Sequence, residues 1–128
     1  MAQKEIILSR LEPEFAAALL AGCEPLDASG RTGPGDIARM TASGQCFAAT
    51  AEQAQAVYVV QVKNSVAWIS ATKGAGPLDW SALLLPIIEA QAQGCAAVAF
   101  QTARPGLVRK AARQGYQVAG WILKKALQ

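Results

Sequence analysis

Apolar side chains recur along the chain in short runs that are separated by polar or glycine-containing segments. The runs at 55–61 and 66–71 are rich in β-branched and aromatic residues, so both predict strands. The short segment 62–65 between them is enough for a turn, which makes the pair an antiparallel hairpin. Weaker runs of the same type predict further strands at 5–9 and 44–50.

Three segments carry the signals of helices: 13–21, 80–93 and 106–114. Pro13 and Pro105 suit the first turn of a helix, because an N–H there has no partner within the helix in any case. A glycine follows each segment, and glycine is common just beyond the last helical residue.

Residues 96–101 are apolar without alternation, which predicts a strand buried on both faces, and 116–123 predict a last strand. A helical crossover separates 66–71 from 96–101, so these two strands are expected to be parallel. The sequence therefore predicts one domain, 1–128, of the α/β (α+β) class. Its sheet is mixed and mostly antiparallel, flanked by helices, with a parallel pair around a glycine loop. The Gly-, Pro- and Asp-rich stretch 23–36 predicts a loop.

Composition bears on partners and compartment. Charged residues make up only 16% of the chain, which favours a homo-oligomer or a component of a larger assembly, although an alanine-rich chain with an ordinary surface is the equal alternative. No apolar run reaches the roughly 18 residues of a membrane span, and the first residues lack a signal-peptide layout. We therefore expect a cytoplasmic protein with no membrane partner.

Residue types also limit the chemistry. The chain has no histidine and no CxxC pair, which excludes histidine-based triads and leaves no reason to expect a metal site. Residues 90–128 hold six basic and no acidic side chains, a balance that favours an anionic partner, with a solvated basic face as the alternative. Nucleic acid is the less favoured anion, because aromatic residues are only 6% and no recognition motif accompanies the charge.

The glycine loop 72–77 precedes the helix at 80–93, for which Asp79 is a good N-cap. Backbone N–H groups of such a loop, together with the positive end of the helix dipole, suit an anion such as a pyrophosphate. A simple tight turn is the alternative interpretation of the same glycines.

The order of elements from 57 to 127 resembles the GCN5-related N-acetyltransferase (GNAT) superfamily. In that family a hairpin leads to a Q/R-x-x-G-x-G/A loop, then a helix, a strand, a helix ending in Gly-Phe and a final strand. Here the loop reads Ala-Thr-Lys-Gly-Ala-Gly at 71–76, and 100–116 is similar to the strand and helix that end in the Gly-Phe pair. The chain also resembles small GNAT-like proteins encoded by tailed bacteriophages.

The resemblance implies acetyl-CoA as the cofactor. The amides of Gly74, Ala75 and Gly76 are then expected to face the pyrophosphate, with Lys73 as a charge partner. Ser70 and Ala71 are expected to border the pantetheine. The helix face that carries Arg109 is expected to meet the CoA phosphates.

The resemblance implies an acyl-CoA-dependent N-acetyltransferase whose amine acceptor the sequence does not name. Tyr58, or Glu52, is the candidate base and Tyr116 the candidate acid, and each also has a structural interpretation. Two departures from the family pattern favour an alternative. Ala71 stands where the family has Gln or Arg, and Ala111 stands where it often has the tyrosine that acts as general acid. That alternative is a non-catalytic GNAT-fold protein that acts as a bacteriophage virion, assembly or interaction component.

Overall fold

The computed structural model describes residues 5–21, 36–102, 104–121, 123 and 125–127. Its strands and helices, in chain order, are β1 Ile7–Arg10, α1 Pro13–Leu19, α2 Asp36–Ser43, β2 Gln45–Ala51, β3 Ala54–Lys63, β4 Val66–Ala75, α3 Trp80–Gln91, β5 Ala97–Ala99 and α4 Pro105–Ala112.

The strands form a single sheet in the order β1-β2-β3-β4-β5. Neighbours from β1 to β4 are antiparallel, whereas β4 and β5 are parallel. The predicted mixed, mostly antiparallel sheet with a parallel pair is therefore confirmed. The turn between β3 and β4 consists of Asn64 and Ser65, both at positive φ (52° and 62°), which matches the twist of a tight hairpin.

Helices cover both faces of the sheet. Tyr58 on β3 packs with Trp80 and Ile88 of α3 on one face. On the other face, Val57 and Val59 of the same strand pack with α1 and α2. The alternation of side chains along β3 therefore divides its apolar residues between two cores.

Two features of the central part of the chain differ from the prediction. The strand β4 does not end at Ala71, because Gly74 and Ala75 continue the ladder opposite Ala56 and Gln55 of β3. Of the three residues Gly74, Ala75 and Gly76, only Gly76 lies beyond the strand. α2 was not among the predicted elements, because Ile37 and Met40, its two large apolar residues, are too short a pattern to indicate a helix.

The parallel strand and the last strand also differ from expectation. β5 has only three residues and is an edge strand with Ala97 exposed, so its predicted burial on both faces is wrong. Residues 116–121 and 123 form no strand, although 116–123 were predicted as one. Most of the predicted loop 23–36 lies outside the described residues, and Asp36 already belongs to α2.

Candidate functional site: a cleft beside β4

Two parallel strands separate at the centre of the candidate site. β4 and β5 pair only where Val66–Trp68 lie opposite Ala97–Ala99. Beyond this point β4 continues to Ala75, while the chain after β5 leads to α4. No described strand pairs with the outer edge of β4 from residue 69 onward. Alternate backbone N–H and C=O groups there are consequently available to another molecule.

A cleft of about 1430 Å³ opens at this separation. Met40 and Ser43 of α2 line it from one face of the sheet, whereas Trp80 of α3 and Leu107 of α4 line it from the other. Because α2 and α3 cover opposite faces, the cleft leads from one face of the sheet to the other beside β4. Its volume exceeds the roughly 300–1,000 Å³ of common small-molecule pockets, so it has room for a ligand of cofactor size.

A β-bulge in β4 lies in the wall of the cleft. Val59 pairs with Ala71 and Val60 with Ile69, so Ser70 is the extra residue. The Ser70 hydroxyl donates to Oε1 of Gln61 at 2.8 Å. The Gln61 amide in turn donates to Oγ of Ser43 at 2.6 Å. This chain of hydrogen bonds ties the bulge to β3 and α2, so the backbone at Ser70 is held in a defined orientation beside the cleft.

The two glycines of the loop have structural roles. A Cβ on Gly74 would lie 2.5 Å from Cδ1 of Trp80. Gly76 has a φ of 97°, and a Cβ there would lie 2.6 Å from Cα of Ala54. Both positions therefore need glycine for packing, whatever they bind.

The N-terminus of α3 already has an acidic cap. The Asp79 carboxylate accepts from the N–H of Ala82 at 3.4 Å and from the Ser81 hydroxyl at 2.6 Å. Lys110 of α4 approaches both of its oxygens at 3.4 Å. The Ser81 hydrogen bond is the largest of the effects that hold the pKa of Asp79 below its usual range, and the Ala82 and Lys110 contacts act in the same direction. An anion at this helix end would therefore meet Asp79 as well as the helix dipole.

Cationic side chains predominate in the lining. Arg39 and Lys63 lie along one part of the cleft, and Arg104 and Lys110 of the α4 region lie along another. Asp79 is the acidic residue among the described lining residues. The cleft is consequently suited to a ligand that carries several negative charges.

The structure brings some of the expected cofactor residues together and separates others. Ser70, Ala71, Gly74 and Gly76 line the cleft, whereas Lys73, Ala75 and Arg109 do not. The Lys73 ammonium instead donates to the carbonyl of Ala21 near α1, at 3.4 Å.

On α4, the cation that lines the cleft is Lys110 and not the expected Arg109. Lys110 lies three residues after Leu107, and both line the cleft. Arg109 lies on a different face of the helix and is exposed. The helical period could have found Lys110, because Leu107 and the buried Ala111 mark the face of α4 that packs inward.

Neither tyrosine proposed for catalysis lines the cleft. Tyr58 is fully buried, and its hydroxyl donates to Oε1 of Gln91 at 2.6 Å. Burial raises the pKa of Tyr58, which opposes a role as a base. The Tyr116 hydroxyl donates to Oε2 of Glu89 at 2.8 Å, and burial together with this carboxylate raises the pKa of Tyr116 well above its usual range.

Glu52, the other candidate base, lies in the turn between β2 and β3 and lines a separate, smaller pocket. The described residues contain no group of three or more His, Cys, Asp or Glu side chains that could hold a metal ion. No helix in the described part of the chain is long and apolar enough to cross a membrane.

Comparison of the chain with protein-family models, with curated proteins and with solved structures found no match. The function is therefore inferred from the cleft itself.

Proposed function

We propose that this chain is a GNAT-like protein that binds acetyl-CoA in the cleft beside β4 and transfers the acetyl group to an amine. The observation that carries the proposal is the separation of β4 from the chain that follows β5. It leaves a free strand edge along a cleft that leads from one face of the sheet to the other. A pantetheine arm, which contains two amides, can hydrogen-bond to such an edge in the manner of a strand.

Charge supports the same ligand. Arg104 and Lys110 lie where the cleft passes α4, and they suit the phosphates of CoA. Lys110 is already paired with Asp79, but both side chains of that pair are about half exposed (50% and 52%). Such a pair contributes little stability, so Lys110 can turn from Asp79 to a phosphate at small cost.

The bulge at Ser70 suits the thioester end of the ligand. A fixed backbone N–H beside a thioester carbonyl stabilises the negative charge that develops when an amine attacks it. In the transfer the amine nitrogen forms a bond to the carbonyl carbon, the C–S bond breaks, CoA leaves as the thiolate, and the amine loses a proton to solvent. Because Tyr58 and Tyr116 lie outside the cleft, orientation of the two reactants is the main contribution we assign to the chain.

Calorimetric titration with acetyl-CoA tests the binding step. The double variant Arg104→Ala/Lys110→Ala is expected to weaken binding about tenfold or more, because each lost charged contact costs on the order of 1 kcal/mol. Arg109→Ala is the matched control, since this side chain lies on the same helix outside the cleft. Absence of heat at millimolar acetyl-CoA, or equal losses in both variants, would refute the proposed site.

A second candidate is a non-catalytic GNAT-fold protein that acts as a component of a bacteriophage virion or assembly. The hydrogen-bonding of both tyrosines outside the cleft favours it. Release of free CoA thiol in the presence of a panel of amines separates the two candidates. Turnover that is absent while acetyl-CoA still binds would support the second candidate over the first.

A further inference from the structure

The outer edge of β5 is open. β5 pairs with β4 on one side only, and no described strand covers its other side. An exposed strand edge carries unpaired N–H and C=O groups and can accept another strand. Ala97, at the start of β5, is exposed, so side chains do not block this edge there.

The segment that follows α4 is unusually apolar for its exposure. Its large apolar side chains remain mostly in solvent: Val118 is 64% exposed, Trp121 87%, Leu123 94% and Leu127 88%. Residues 116–121 have no regular secondary structure and no partner strand. Several large apolar side chains exposed within one short segment favour an interaction site there.

The start of this segment is anchored beside β5. The Tyr116 ring packs against Phe100, which directly follows β5, with 5.6 Å between ring centroids. The Tyr116 hydroxyl is bonded to Glu89 of α3. Gly115, at a φ of 94°, sets the direction in which the chain leaves α4. The segment thus departs from a fixed point near the open edge, and within the described part of one copy neither the edge nor the segment is covered.

We propose that two copies of this chain form a dimer in which residues 116–121 of each copy add as a strand to the open β5 edge of the other, and the exposed leucines beyond them extend the contact. The contact is the same in both directions, as a closed two-fold dimer requires. It does not depend on whether the cleft binds acetyl-CoA.

The exposed area is adequate for such a dimer. Trp121, as an aromatic side chain, contributes on the order of 150–250 Å² when it is fully covered, and the three aliphatic side chains add to this area. The four exposed side chains of one segment therefore supply several hundred Å², and the β5 edge that they cover adds to it. Two such contacts approach the roughly 800 Å² per partner of a stable interface.

Analytical ultracentrifugation of the full chain over a range of concentrations tests the proposal. The wild type is expected to sediment as a dimer at micromolar concentration, and Trp121→Asp as a monomer, because a charge at this side chain cannot be covered without loss. Ile7→Asp is the matched control: Ile7 is 60% exposed on β1, the opposite edge strand. It is expected to leave the dimer intact. Circular dichroism and thermal unfolding check that all variants are folded.

A mixing experiment identifies the acceptor edge. Ala97→Glu places a charge on the β5 edge and is also expected to be monomeric. A mixture of Ala97→Glu with Trp121→Asp retains one intact contact, the segment of the first on the edge of the second. It is therefore expected to form a weaker heterodimer, whereas each variant alone does not dimerise.

Four outcomes would overturn the proposal: a wild type that is monomeric at every concentration, a Trp121→Asp variant that still dimerises, an Ile7→Asp variant that does not, or a mixture that stays monomeric. The first outcome would fit pairing of the segment with β5 within one chain, and the last would fit an interface elsewhere.

Discussion

Gly74 and Trp80 approach each other so closely that a single added methyl group tests the packing between β4 and α3. In Gly74→Ala the new Cβ would lie 2.5 Å from Cδ1 and 2.9 Å from Cγ of the indole. Trp80 is only 7% exposed, and its Nε1–H donates to the carbonyl of Ala75 at 3.0 Å. The ring therefore cannot retreat without losing this hydrogen bond and disturbing the core formed with α3.

Overpacking of this kind costs about 1–3 kcal/mol. A weakened hydrogen bond adds roughly 1 kcal/mol. We expect a total loss of about 3 kcal/mol in the free energy of unfolding. For a domain of this size, that loss corresponds to a fall in melting temperature of about 10 °C.

Thermal unfolding followed by circular dichroism measures the effect. Gly106→Ala is the control, because the nearest atom to a Cβ there is 3.9 Å away, on the side chain of Arg109. It is expected to be neutral or stabilising by up to about 1 kcal/mol. If Gly74→Ala lowers the melting temperature no more than Gly106→Ala does, the close contact with Trp80 does not require glycine at position 74.

Three other predictions concern hydrogen-bonded side chains. Tyr58→Phe is expected to lower the free energy of unfolding in urea by about 1 kcal/mol, because the hydrogen bond to Gln91 is lost. Any acetyl-transfer rate is expected to stay unchanged. A large fall in rate with an intact fold would restore Tyr58 as a catalytic candidate. The pKa of Asp79 is lowered in the folded protein, so its contribution to stability is present above its unfolded pKa of about 3.9 and is lost as the pH falls through the folded value. Asp79→Asn is expected to remove this loss of stability at acid pH. The same dependence of stability on acid pH in the variant and the wild type would contradict the prediction. The pKa of Tyr116 is raised, so its contribution to stability is complete below about pH 10 and is lost as the pH rises further. Tyr116→Phe is therefore expected to reduce the fall in stability at alkaline pH. The same fall in this variant would argue against the contact with Glu89.

Local residue chemistry was sufficient to predict much of the fold. The β-branched runs predicted β3 and the first part of β4, and the two helix-opening prolines marked where α1 and α4 begin. Asp79 was predicted as the N-cap of α3 and is one. These features depend on interactions within a few residues, so the sequence pattern alone contains them.

The cleft could be predicted only in part. Ser70 and Ala71 were expected beside the pantetheine, and both line the cleft. Lys73 and Arg109 were chosen for their charge, but a charge does not show which face of a strand or helix carries it. Arg104 and Lys110 take that place because α4 packs with Leu107 inward.

The sequence by itself determined the class of fold, most of its strands and helices, the lack of histidine chemistry and the glycine-containing stretch before α3. Only the tertiary structure decided what that stretch does. Gly74 and Ala75 belong to the strand because β3 is long enough to pair with them, and Gly74 is needed by a tryptophan that follows it in the chain. The tertiary structure also decided that 116–121 form no strand within one copy and that no strand among the described residues covers the outer edge of β5. Pairing between strands depends on contacts distant in sequence, and no local pattern encodes which edge is covered.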